Sequence, residues 1–145
     1  MKLPFRETCM PMLTLSLLPE TYAICRLPSG QAVQAPKPGS FRLLVHAVEE
    51  TTIVCPVGEA PLDAQVDAGW RCFRILQTFD FSVPGILASV LQPLANAGIG
   101  IFATSTFSTD YVLVKSADHE RAMEVLRTAG HEVEIAASIL KPHSP

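Results

Sequence analysis

The chain predicts an α+β fold, and three observations carry that reading. Residues 85–97 and 118–129 place apolar side chains at helical spacing: Ile86, Leu87, Val90, Leu91 and Leu94 in the first, Ala122, Met123, Val125 and Leu126 in the second. Short runs rich in β-branched and aromatic residues lie around them at 70–76, 99–107, 110–115 and 133–135. The first half of the chain supplies strands in comparable places with almost no helix. The second half thus reads as β-α-β-β-α-β, the ferredoxin-like split β-α-β order with both helices on one face of an antiparallel sheet. A smaller, degenerate, β-rich module precedes it.

Taken in order, residues 12–17 form a strand, Leu18-Pro19-Glu20 turns the chain, and residues 22–27 return as a second strand. From Pro28 to Ser40 the prolines and glycines leave room for a short helical turn only. Residues 41–46 and 51–55 are strands around a Val48-Glu49-Glu50 corner. A linker starts at Pro56 and ends near Gly69, which divides the chain into modules 1–66 and 67–145. Trp70 opens the next strand, with Trp70 and Phe73 as core or inter-module packing. Gly98 and Gly130 end the two helices. Pro93 removes one backbone bond inside the first helix and predicts a bend there.

Composition excludes several classes. The 145 residues are 48% hydrophobic and 17% charged, enough apolar material for a core. Lys and Arg number 5 against 7 acidic residues in positions 1–69, and 6 against 7 in positions 70–145. Neither half carries a basic stripe, so no nucleic-acid partner is expected. No apolar run reaches membrane-spanning length and none resembles a signal peptide, which predicts a cytoplasmic protein without a membrane partner. Cys9, Cys25, Cys55 and Cys72 are scattered without a C-x-x-C pair, which reads as reduced buried thiols and no metal site, with two disulfides as the alternative in an oxidising compartment. His46, His119, His131 and His143 are separated and read as surface histidines. Phosphate-loop, nucleophile-elbow and zinc-helix patterns are missing, so no catalytic residue, cofactor or enzymatic activity is expected.

The candidate site has two parts. Asp80-Phe81-Ser82-Val83-Pro84-Gly85-Ile86 reads as a strand end breaking into a helix start, with Asp80 or Ser82 as cap and Pro84 in the first turn. Free backbone N–H groups and the positive end of the helix dipole suit a carboxylate there. The second part is the strand corner Thr104-Ser105-Thr106-Phe107, closing at Asp110. Asp110 would accept an ammonium or guanidinium group by a charge-assisted bond. Asp110 reads equally well as a solvated turn carboxylate, and Ser105 and Thr106 as partners of edge backbone.

These residues resemble an ACT domain, in the order strand, Asp80 to Leu87, helix, Ala97-Gly98-Ile99-Gly100-Ile101-Phe102. More narrowly, Gly85-Ile86-Leu87-Ala88-Ser89 and Ser105 to Val114 are similar to small stand-alone proteins related to the CASTOR-type arginine sensors. Thr51-Thr52-Ile53-Val54-Cys55-Pro56 and Gly69-Trp70-Arg71 match the first half and linker of that group. The resemblance spans most of residues 11–135. It implies two ACT-like modules, a small-molecule ligand (an amino acid) at a module or subunit interface, a homodimer and a sensing or regulatory role. The chain departs from that pattern in lacking an ordinary module's long helix between Leu27 and Phe41. The alternative is a ligand-free structural module for dimerisation or protein interaction, its unpaired sheet edge meeting a partner.

Overall fold

A computed structural model describes residues 12–35, 37–39, 41–78 and 84–136. These form seven strands and two helices: β1 (Thr14–Pro28), β2 (Leu43–His46), β3 (Glu50–Pro56), β4 (Gln65–Ile75), α1 (Ile86–Asn96), β5 (Ile101–Ser105), β6 (Asp110–Lys115), α2 (His119–Thr128) and β7 (Glu132–Ile135). The strands share one sheet in the order β2-β3-β1-β4-β6-β5, with β7 also paired to β1. The α+β class and the ferredoxin-like second half are as the sequence predicts.

β2 is shorter than expected by two residues at its start and β5 by two at each end, and two larger differences each turn on one residue. The expected turn at Leu18-Pro19-Glu20 does not form, and β1 runs through it as a 15-residue strand. Opposite β4, Leu17 pairs with Phe73 and Thr21 with Arg71, so three β1 residues bulge against Cys72 alone. On its other side, β1 leaves β7 after Leu17 and meets β3 from Tyr22 onward. Pro19 has no N–H and sits where neither ladder needs one. The second difference is at β4, which begins at Gln65 rather than Trp70. Tyr22 pairs with Trp70 but Ala23 with Ala68, leaving Gly69 as an extra residue at φ 85°. A glycine bulge inside a strand looks like a linker end in sequence.

The pairing of β7 interlocks the two halves. Thr14–Leu17 of β1 runs antiparallel to β4 and parallel to Glu132–Ile135, so β1 lies between the first and last strands of the second half. Both helices end in the double hydrogen-bonded turn expected of a C-terminal glycine. Ile99 N–H bonds Leu94 C=O at 2.9 Å and Gly98 N–H bonds Ala95 C=O at 3.0 Å. His131 N–H and Gly130 N–H repeat the pattern on Leu126 and Arg127.

Three apolar clusters hold the sheet. Leu15, Leu17, Phe73, Ile75, Val112 and Val114 meet Ile86, Val90 and Leu94 of α1 and Ala122, Met123 and Leu126 of α2. The predicted helix faces are therefore the buried ones, with Leu87, Leu91 and Val125 at their margins. On the second-half strands' other face, Trp70, Cys72 and Leu113 pack with Tyr22, Phe41 and Val54. Phe41 stacks on Tyr111 and meets Tyr22 edge-on, joining the halves through aromatic contacts. Among the described residues no α-helix packs on the third cluster, Ala23, Cys25, Leu27, Ile53 and Cys55; Val33, Ala60 and Ala64 cover it in part.

Candidate functional site

Asp80, Phe81, Ser82 and Val83 lie outside the described residues. Pro84 and Gly85 are exposed and Ile86 is buried against the helix-side core. The helix starts one residue later than the sequence suggests. Gly85, at φ 84°, is its N-cap, with no side-chain cap bond, and Pro84 precedes the helix instead of lying in its first turn. Gly85 C=O accepts the Ser89 N–H at 3.0 Å, and the Ser89 hydroxyl donates to Ile86 C=O at 2.7 Å. The left-handed backbone at Gly85 swings the chain into α1, which is why glycine is required there.

The β5–β6 corner is a tight hairpin. Thr104 pairs with Tyr111 and Ser105 with Asp110. The Ser105 hydroxyl donates to Asp110 Oδ1 at 2.5 Å, so Asp110 is already engaged as an acceptor on the strand edge. Thr106 N–H and its hydroxyl both donate to Thr109 C=O, at 2.8 and 3.1 Å. Phe107 projects at the tip, 87% exposed. The anchor is Thr109, which the sequence does not single out. Its hydroxyl lies 2.7 Å from Ile75 C=O and 3.1 Å from Gln77 C=O. These bonds fasten the corner to the end of β4, where the chain sets out for Gly85 and α1. The structure thus brings Thr104 to Asp110 beside the end of β4.

His131 corrects the surface reading. It is 6% exposed and joins three segments. Its Nδ1 accepts the Leu13 N–H at 3.0 Å, and its Nε2 donates to Ser89 C=O at 2.8 Å. The two partners define the ring as neutral with its hydrogen on Nε2. Ser89 C=O is the carbonyl that Pro93, four residues on, cannot satisfy. The imidazole therefore replaces the helix bond that the proline removes. Nothing near His131 in sequence signals a partner 42 residues away. His119 contacts Ser116 C=O through Nδ1 and His46 contacts the Thr51 hydroxyl, while His143 lies outside the described residues.

Charge and thiol chemistry elsewhere is structural. Arg42 forms a two-point pair with Glu59, Nε to Oε1 at 3.0 Å and Nη2 to Oε2. The Arg42 hydrogen bond holds the Glu59 carboxyl below its ordinary range, against the opposing effect of partial burial. Lys115 bonds Asp67 at 3.0 Å and lies 4.7 Å from the Trp70 ring centre. Cys25, Cys55 and Cys72 are buried free thiols, and Cys9 lies outside the described residues. Burial pushes the Cys55 thiol up to about 12 and raises Cys25 and Cys72 as well, so all three stay protonated. Among the described residues no group of three His, Cys, Asp or Glu side chains is placed to hold a metal ion, and no helix is long and apolar enough to cross a membrane.

The sheet with its two helices is the fold of an ACT domain, and residues 65–128 match the family model described as ACT domain. The chain belongs to the same family as protein Atu0741 from Agobacterium tumefaciens, with 37% identity over 92% of this chain and 99% of that one, at a TM-score of 0.82. Two more distant structures share the fold. A protein of unknown function from Vibrio cholerae has 15% identity and a TM-score of 0.63 over 88% of this chain and 94% of that one. The regulatory subunit of aspartate kinase from Thermus thermophilus has 11% identity and a TM-score of 0.57 over 79% and 96%. A comparison with curated proteins gives no match.

Proposed function

We propose that this chain is an amino-acid-binding regulatory protein of two ACT-like modules, residues 1–66 and 67–145, in the stand-alone tandem group related to the CASTOR-type sensors. The ACT match over residues 65–128 and the fold shared with an aspartate kinase regulatory subunit support a regulatory role for a small ligand. In this reading the protein has no chemistry of its own, works in the cytoplasm and assembles as a homodimer. The observation that carries the site is the Thr109 anchor, which holds the Asp110 corner against the strand end leading to α1.

The ligand's carboxylate would meet the N–H groups at the start of α1, around Val83 to Leu87, where the helix dipole favours negative charge. Its ammonium would meet Asp80 or Asp110, with Thr104, Ser105, Thr106 and Phe107 forming the facing wall. Asp110 already accepts one hydroxyl and keeps acceptor capacity for a cation. Ligand contacts made only in one arrangement of the two parts would couple binding to assembly.

The test is calorimetric titration with each of the twenty amino acids, repeated on Asp110→Ala and Gly85→Val. At least one amino acid should bind wild type through a component that both variants lose. Gly85→Val should also lower the unliganded melting temperature, because valine is strained at φ 84°. Binding that persists unchanged in both variants would place the ligand elsewhere. Absence of binding by all twenty, with a dimer by light scattering, would favour the structural-module alternative.

A further inference from the structure

The first-half sheet carries its own cavity. The second-half strands are covered by α1 and α2, but among the described residues no α-helix packs on Leu27, Ile53 and Cys55. Between these strands and residues 31–35 and 37 lies a space of about 440 Å³, within the range of roughly 300–1,000 Å³ usual for small-molecule sites. Its floor is apolar: Leu27 at 1%, Ile53 at 5% and Cys55 at 2% exposure, with Val33 on the wall. The Cys55 thiol stays protonated through burial, so it adds no charge to that floor.

The rim is charged with both signs. Lys37 and Asp63 line the same space, and among the described residues neither has an ion-pair partner. Asp63 is oriented by Gln31, whose side-chain amide donates to Oδ2 at 2.8 Å. Glu59, also on the rim, is neutralised by its two-point pair with Arg42. The rim thus presents one cation, whose field also reaches Glu59, and one anion above an apolar floor. Such a surface complements a molecule with a carboxylate, an ammonium and an apolar side chain.

We infer that this cavity is a second small-molecule site, for a zwitterionic amino acid with an apolar side chain: carboxylate on Lys37, ammonium on Asp63, side chain on Leu27, Ile53 and Cys55. It is separate from the α1 site and does not depend on it. The deeper floor of this space carries no charge, so a long cationic side chain would be excluded there.

The experiment isolates this site from the other by using Asp110→Ala as the starting protein. Leucine, isoleucine, valine, methionine and phenylalanine are added in thermal-shift and calorimetric titrations. At least one should raise the melting temperature and bind. The matching acid without its amine and amine without its acid should each bind at least tenfold more weakly. Adding Val33→Trp, which fills the space from its wall, should abolish binding, and Lys37→Glu at the exposed rim should do so without changing the unliganded melt. If none of the five binds Asp110→Ala, or if binding survives both Val33→Trp and Lys37→Glu, the inference is wrong. If the α1 site does not exist, wild type and Asp110→Ala will bind these amino acids alike, so failure of that reading is distinguishable from failure of this one.

Discussion

His131→Ala should destabilise the protein far more than replacing a surface histidine would. The ring satisfies Leu13 N–H and Ser89 C=O at once, both inside the fold. Alanine leaves both backbone groups without partners, and each unpaired buried group costs about 1–3 kcal/mol. A cavity of about 360 Å³ beside the ring, lined in part by Met12, Gln92 and Asn96, gives water a route to the carbonyl and favours the low end. The expected loss is about 2–4 kcal/mol, a large share of the 5–15 typical of a domain. Urea denaturation at neutral pH measures it. A second variant sharpens the reasoning. Pro93→Ala supplies an N–H four residues after Ser89, giving that carbonyl a helix partner. In the Pro93→Ala background His131→Ala should therefore cost about 1 kcal/mol less, as a double-mutant cycle reports. A loss below about 1 kcal/mol for His131→Ala alone, or zero coupling with Pro93, would refute the argument.

Two further outcomes follow from the same contacts. Glu59 has a lowered folded-state pKa, so its contribution is fully present above the ordinary carboxylate value of 4.5 and is lost as pH falls through the lower folded value. Urea midpoints from pH 6 to 3 should fall less steeply in Glu59→Gln than in wild type, with a difference below about 1 kcal/mol because the pair is partly solvated; identical pH profiles would show that Arg42 does not perturb it. Thr109→Val should release the corner from Ile75 and Gln77, costing about 1 kcal/mol. Amide exchange at residues 104–110 should accelerate while α2 stays protected, and unchanged exchange at the corner would contradict the anchoring role.

What sequence could show of this fold depended on how local each cause was. The apolar stripes of α1 and α2 and the glycines that end them are local, and they match the structure within one or two residues. Pro19 and Gly69 are local signals too, but each has two meanings. Pro19 marks a turn unless the strand changes neighbours there, and Gly69 marks a linker unless a bulge needs a left-handed residue. Which meaning holds is set by strands β4, β3 and β7, far away in sequence. The β1–β7 pairing joins residues 118 positions apart, and the His131 to Leu13 bond spans the same distance. No pattern near either end announces it. At the site, Ser105 and Asp110 were legible because a hairpin brings them together. Thr109 was not, since its partners lie over 30 residues upstream on the end of β4.

The central claim, an amino acid held between the start of α1 and the Asp110 corner, is tested most directly by a crystal structure grown with the amino acid that binds wild type most tightly. The account predicts ligand density with its carboxylate at the backbone N–H groups around Gly85 and Ile86, and its ammonium within hydrogen-bond distance of Asp80 or Asp110. A structure with that amino acid bound elsewhere, and the space between Gly85 and Asp110 filled by solvent alone, would contradict it.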